Sequence, residues 1–294
     1  MKRLCVSLAQ VVLCCALLSW PLGVAAQPAP SFTVYDGLSY KNKPDLTQFG
    51  VRKIRIAYTS EIWGGSTARD QPIGLAVRNL AQSADPRVPL VLDIEHWKLQ
   101  GDSPETTANI NKLIQVVKWI HEANPNVKVG FFGLMPISDA WLELHYAQAE
   151  QDPSTPNAAG LVKLYQGLQA SNQNMRRLAQ YVDFVCPVLY TFVSYGGGPT
   201  KYQASWDTAT INAIQEAEQY RKPIYAFVWP QFYEAKASNG DNAFMPASFW
   251  QHELQLIRGS PAQGVIIWGS PTYRKAGWVD SDPWWQATKA FLGQ

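Results

Sequence analysis

The sequence predicts an α/β fold, a (β/α) TIM-like barrel of seven parallel strands, and three observations carry that expectation. Strand-like apolar runs alternate with helix-like segments along residues 27–294. The runs are apolar at almost every position, as strands covered on both faces are. The long connections fall after the C-terminal ends of the strands, where a barrel builds its sites. An open doubly wound sheet is the competing arrangement, weakened because no glycine-rich turn follows the first strand.

The strand-like runs are Phe32 to Asp36, Lys53 to Tyr58, Pro89 to Glu95, Val127 to Leu134, Phe184 to Tyr190, Pro223 to Trp229 and Val265 to Trp268. Most are rich in Val, Ile, Phe or Tyr, which suit a pleated, covered surface. Between them, helical periodicity marks Ile73 to Ala84, Thr106 to Glu122, Ala159 to Tyr181, Thr208 to Arg221, Ala247 to Ile257 and Trp284 to Leu292. In the second of these, Ile110, Leu113, Ile114, Val117 and Ile120 trace one apolar stripe, and Asn124-Pro125-Asn126 breaks the chain before the next strand. Unusual connections are Ser60 to Asp70, Pro136 to Asn157, Thr191 to Trp206 and Gln231 to Pro246. Gly196-Gly-Gly198-Pro199, in the third, is expected as a lid rather than a phosphate cradle, since no Gly-Lys-Ser/Thr follows it.

Ahead of the barrel, Met1-Lys2-Arg3, an apolar run from Leu4 to Leu18 and Gly23-Val-Ala-Ala26 have the three sections of a secretory signal peptide. Residues 1–26 are therefore expected to be removed, leaving 27–294 as a single domain with no membrane anchor. The run is short for an uncleaved anchor. Cys5, Cys14 and Cys15 leave with the leader, and only Cys186 remains, in an apolar strand where a buried small hydrophobe is expected. No Asn-x-Ser/Thr acceptor occurs. These features suit a bacterial-type periplasmic or secreted protein. The leader also removes Lys2 and Arg3, so the formal charge of +2 falls to neutrality and nothing argues for nucleic acid or an anionic membrane as partner.

The chemistry concentrates in Val88-Pro-Leu-Val-Leu-Asp93-Ile-Glu95-His-Trp97. Strand alternation puts Val91, Asp93, Glu95 and Trp97 on one face and Leu90, Leu92 and Ile94 on the other, so both acids emerge at the top of the third strand. Two carboxylates that close share a proton near neutral pH. A protonated Glu95 would donate to a leaving group while Asp93 stays charged. Residues two apart on one strand cannot straddle a sugar as acid and opposing base, so the nucleophile comes from the substrate or from a third acid: Asp36, Glu61, Asp139 or Glu234. Packing or an arginine partner is the plainer role for such a pair. His96, His121, His145 and His252 show no metal-ligand spacing, no Gly-x-Ser-x-Gly elbow occurs, and no cofactor is expected. The twelve tryptophans, Trp20 in the leader among them, offer flat faces for core or for sugar rings.

Asp93-Ile-Glu95-His-Trp97 resembles the Asp-x-Glu-x-Trp signature of the hyaluronidase family of glycoside hydrolases. Gly130-Phe-Phe-Gly-Leu-Met-Pro136 is similar to that family's glycine-aromatic strand, Cys186-Pro-Val-Leu-Tyr190 to its Pro-x-x-Tyr strand, Ala226-Phe-Val-Trp229 with Phe232 and Tyr233 to its sixth, and Gly264-Val-Ile-Ile-Trp268-Gly-Ser270 to its last. The resemblance spans residues 88 to 270 in family order. It implies a retaining, substrate-assisted hydrolase of a polysaccharide containing N-acetylhexosamine. Glu95 would be acid and then base, Asp93 would stabilise the attacking acetamido group, Tyr190 would hold the acetamido oxygen and Trp268 would floor the sugar. Trp97, Trp229, Tyr58 and Asp36 complete the expected substrate contacts. With one cysteine and no positive surplus, a polymer other than hyaluronan is expected. A non-catalytic sugar-binding barrel is the alternative from another class.

Overall fold

The computed structural model describes residues 32–64, 71–192, 199–236 and 241–294, and Phe32–Gln294 is one unit. The first strand, Thr33–Leu38, pairs in parallel with Arg52–Lys53, and the second continues past Ile54 as Arg55–Ala57 against the third, Leu90–Leu92. The third pairs with the fourth, Val129–Phe131. Parallel bridges Phe132 to Cys186, Val185 to Ile224 and Val188 to Phe227 insert the fifth run between the fourth and the sixth, Tyr225–Val228. The seventh, Gly264–Gly269, pairs with the sixth and then with the first, from Thr33 opposite Gly264 to Leu38 opposite Gly269. That last register closes a ring of seven strands, the expected barrel.

Alternation sorts the strand residues into two cores. Tyr35, Val91, Phe184, Cys186, Phe227 and Ile266 fill the interior, while Val34, Leu90, Leu92, Val129, Phe131, Val228 and Val265 pack outward under the helices. A seven-stranded ring is narrow, and its interior is crowded with rings: Tyr35 meets Tyr225 at 5.0 Å and Phe132 meets Phe227 at 4.8 Å. Cys186 lies among them, fully buried, its thiol pushed up by burial. Gly130 faces inward because anything larger would collide with Phe184, whose ring carbon would lie 2.5 Å from an added Cβ. Gly130→Ala is therefore expected to cost about 1–3 kcal/mol by overpacking, read as a lower midpoint of urea unfolding.

Three connections hold structure that periodicity did not reveal. Ala140–Gln151 is a helix after the fourth strand, packed against both Ala158–Asn174 and Pro199–Glu218. Leu142, Leu144, Ala147 and Ala149 are buried on more than one side of it, so it has no single apolar stripe. The helix expected from Thr208 starts nine residues earlier, at Pro199, a residue preorganised for a first helical position. After the sixth strand, Gln231–Lys236 and Asn242–Phe244 form an antiparallel ribbon. The expected signal peptide, the Gly196–Gly198 lid and the side chain of Glu234 lie outside the described residues. Among the described residues no helix is long and apolar enough to cross a membrane.

Candidate active site

The third strand ends at Leu92, three residues short of the expected Glu95, yet the Asp93 N–H still donates to the Ala57 carbonyl at 3.0 Å. That bond keeps Asp93 in phase with inward Val91 at the C-terminal mouth of the barrel. Asp93 is half-buried and Glu95 is exposed at the rim, and the two side chains are hydrogen-bonded. Burial, and then the charge of Glu95, push the Asp93 carboxyl up to about 7. The pair therefore holds one proton below neutrality. Asp93 is the deeper of the two, so burial weighs most on its carboxyl, and the proton belongs to the pair rather than to one fixed partner.

Tyr190 ends the fifth strand and brings its phenol to the same place. The hydroxyl is buried with no hydrogen-bond partner among the described residues. Burial and the neighbouring Tyr58, Asp93, Glu95 and Tyr233 hold its ionisation well above the usual phenol range, so it remains a neutral donor. Leaving such a group unmet costs about 1–3 kcal/mol, which a ligand acceptor would recover. Trp268, half-buried at the end of the seventh strand, stacks on Tyr190 with ring centroids 5.7 Å apart and planes 29° apart. Its indole lies beside the Tyr58 phenol, whose ionisation it helps to hold down against burial. Tyr58 is 41% exposed, and Asp93, Glu95, Tyr190, Trp268 and Tyr58 lie near one another at the mouth of the barrel.

A cleft of about 560 Å³ opens beside the pair, with Glu95, Trp97, Phe132, Tyr190 and Tyr233 in its walls. Tyr233 is 48% exposed and, with Phe132 and Phe192, belongs to the site although the sequence reading did not place them there. The signal for Phe132 is its inward parity with Gly130; Tyr233 comes from the ribbon, and its signal is its place after Trp229 in the segment that resembles the hyaluronidase family's sixth strand.

Two expected contacts, Trp229 and Asp36, need correction. Trp229 is 1% exposed and sits in the layer beneath the cleft, 5.1 Å from Trp268 and 5.6 Å from Tyr190. Its indole N–H donates to Gln231 at 3.1 Å. Gln231 is wholly buried and also accepts from Tyr40 and donates to the Asn242 and Tyr273 carbonyls, so Trp229 is held in a closed network. Trp97 lines the cleft and is 9% exposed, as Tyr190 is. Past Leu92 the chain leaves strand geometry, and Trp97 turns into the outer core against Trp63 at 5.5 Å, with the Lys112 ammonium 5.0 Å from its ring. Asp36 points away from the interior because its neighbours Tyr35 and Gly37 point in. Its carboxylate pairs with Lys43 and accepts from the Leu38 N–H.

Two other acids considered as nucleophiles are also occupied. Glu61 pairs with Arg55 at 2.9 Å, and Asp139 caps a helix by accepting from the Leu142 N–H at 3.0 Å. Among the described residues no group of three or more His, Cys, Asp or Glu side chains could hold a metal ion. His121 contacts Asp183, His252 contacts Asp207, and His96 packs on Trp63.

The fold and the mouth of the barrel define a class, a closed (β/α) barrel with an acid pair at the end of its third strand. Bee venom hyaluronidase has a similar structure, at 14% identity and a TM-score of 0.54, over 82% of this chain and 92% of that one. The bee enzyme in complex with a hyaluronic acid tetramer aligns with a TM-score of 0.56, also at 14% identity, over 88% of this chain and 99% of that one. No protein-family model and no curated protein sequence matches the chain. The likeness is therefore one of fold.

Proposed function

We propose that the protein is a periplasmic or secreted glycoside hydrolase that cleaves an N-acetylated amino-sugar polysaccharide by a retaining, substrate-assisted mechanism. The observation that carries this reading is the buried, unpartnered Tyr190 hydroxyl beside a carboxyl pair that shares a proton. A donor, a carboxylate and an acid converge where an acetamido group offers a carbonyl to the first and an N–H to the second.

The proton inventory gives the order of events. An acetamido N–H can donate to Asp93 only if Asp93 is ionised, so substrate binding moves the shared proton to Glu95. Glu95 then protonates the glycosidic oxygen as the C–O bond breaks. The acetamido carbonyl oxygen, oriented by the Tyr190 O–H, bonds to the anomeric carbon in place of a protein nucleophile. The charge of the resulting oxazolinium ion is met by Asp93. Glu95, now a carboxylate, takes a proton from a water that attacks the anomeric carbon from the vacated side, restoring the acetamido group with net retention. Trp268 supplies the apolar face under the ring.

The test compares an N-acetylated polysaccharide with the same polymer after removal of its acetyl groups. Cleavage of the first only is expected; equal cleavage of both would sink substrate assistance, and binding without turnover would favour a sugar-binding barrel. Tyr190→Phe is expected to lower kcat/KM about tenfold or more. It should leave the melting temperature unchanged or slightly higher, because the hydroxyl it removes has no protein partner.

A further inference from the structure

Ile137 and Ser138 line the cleft together with Glu95, and the chain around and beyond them is tied down by side-chain hydrogen bonds. Buried Asn172 clamps Ile137 on both sides, accepting from its N–H at 2.7 Å and donating to its carbonyl at 3.2 Å. Asp139 then starts the helix Ala140–Gln151 with a reciprocal cap: it accepts from the Leu142 N–H at 3.0 Å, and its own N–H donates to Glu143 at 3.2 Å. Trp141 is the second residue of that helix and is 59% exposed. Its indole lies against the His145 imidazole, centroids 4.2 Å apart and planes 26° apart. A His145 ring nitrogen donates to the Trp141 carbonyl at 2.7 Å, fixing the imidazole beneath the indole.

An indole supported on one face, open to water and held by a capped helix start has already lost the rotamer freedom that binding would otherwise cost. Two residues, Asp139 and Ala140, separate it from Ser138, a span of at most about 10 Å between the two Cα atoms. Its exposed ring is therefore close in the chain to a residue that lines the cleft, without itself being part of the lining.

We propose that Trp141, backed by His145, is an outlying subsite that stacks on a pyranose ring of the bound polysaccharide several units from the scissile bond. This rests on the glycosidase reading above and extends it: the protein grips a long chain at a second point and favours polymer over short oligosaccharides. Stacking needs only the apolar face of a hexopyranose, so the subsite is tolerant of ring substituents, whereas selection of the N-acetyl group stays with Asp93 and Tyr190.

Two measurements on Trp141→Ala separate this proposal from the function it rests on. In affinity electrophoresis through a gel containing the N-acetylated polysaccharide, the variant is expected to be retarded less than the wild type, with Trp141→Tyr retarded nearly as much. In hydrolysis, KM for the polymer should rise about fivefold with kcat unchanged, the signature of lost uniform binding, and kcat/KM for short oligosaccharides should not move. Equal retardation of variant and wild type, or an equal loss on polymer and oligosaccharide, would overturn the subsite. Absence of hydrolysis by the wild type would instead overturn the glycosidase reading, while the gel still decides whether Trp141 binds the chain. Trp141 is on the surface, so an unchanged melting curve is expected of both variants.

Discussion

Glu95→Gln is expected to lower kcat on an N-acetylated polysaccharide by about 10²–10⁴-fold, the usual worth of a positioned general acid and base, with KM unchanged or lower. The amide keeps the shape and the hydrogen bond toward Asp93 but cannot give up a proton, so both half-reactions suffer. Because Glu95 is exposed at the rim, the variant should fold and melt as the wild type does. A substrate with an aryl leaving group that departs without help distinguishes lost proton transfer from a distorted cleft. Its first step is spared in Glu95→Gln, while release of the intermediate, which needs the base, remains slow. Retention of wild-type turnover on the polysaccharide by Glu95→Gln would remove Glu95 from the mechanism altogether.

The sequence carried most of the barrel because a strand covered on both faces leaves a mainly apolar run, and most of the seven did so, Lys53 and Arg55 interrupting the second and Lys128 the fourth. Inside and outside were legible by the same rule. Val91 turns inward, while Leu90, Leu92 and Ile94 pack outward as alternation requires. Asp36 shows the rule working against an expectation drawn from position alone: even-numbered on the first strand, it could not face the interior that Tyr35 faces. Trp97 shows where the rule stops, since period two holds only while the ladder does, and the strand ends at Leu92.

What remained hidden was packing in depth. Trp229 keeps inward parity yet lies below the working layer, because Trp268 and Tyr190 from neighbouring strands cover it. One-dimensional spacing does not show which of three inward aromatics is on top. Helix Ala140–Gln151 escaped for a related reason: an element sandwiched between two others has apolar residues on several sides and no stripe. Trp141, on the part of that helix left uncovered, was hidden with it.

Asp93→Asn gives the sharpest joint test of charge and architecture. Without the carboxylate that faces the developing oxazolinium charge, kcat/KM is expected to fall about 10²-fold or more. The pH profile should change as well. In the wild type the working pair must hold one proton, so activity declines as pH rises through about 7, where Asp93 ionises. With asparagine at 93 no second charge helps retain that proton, and the alkaline limb moves to lower pH. Stability moves the other way. The folded-state value of about 7 lies above the ordinary 3.8, so between these pH values the native chain binds a proton that the unfolded chain releases, and wild-type stability falls as pH rises across that window. The asparagine variant escapes this loss. Its melting temperature should match the wild type near pH 4, exceed it increasingly toward pH 7 and keep that margin at pH 8. A margin independent of pH would mean that the Asp93 carboxyl is not held up by its surroundings. In that case the shared proton, and with it the transfer to Glu95 on substrate binding, would have no physical basis.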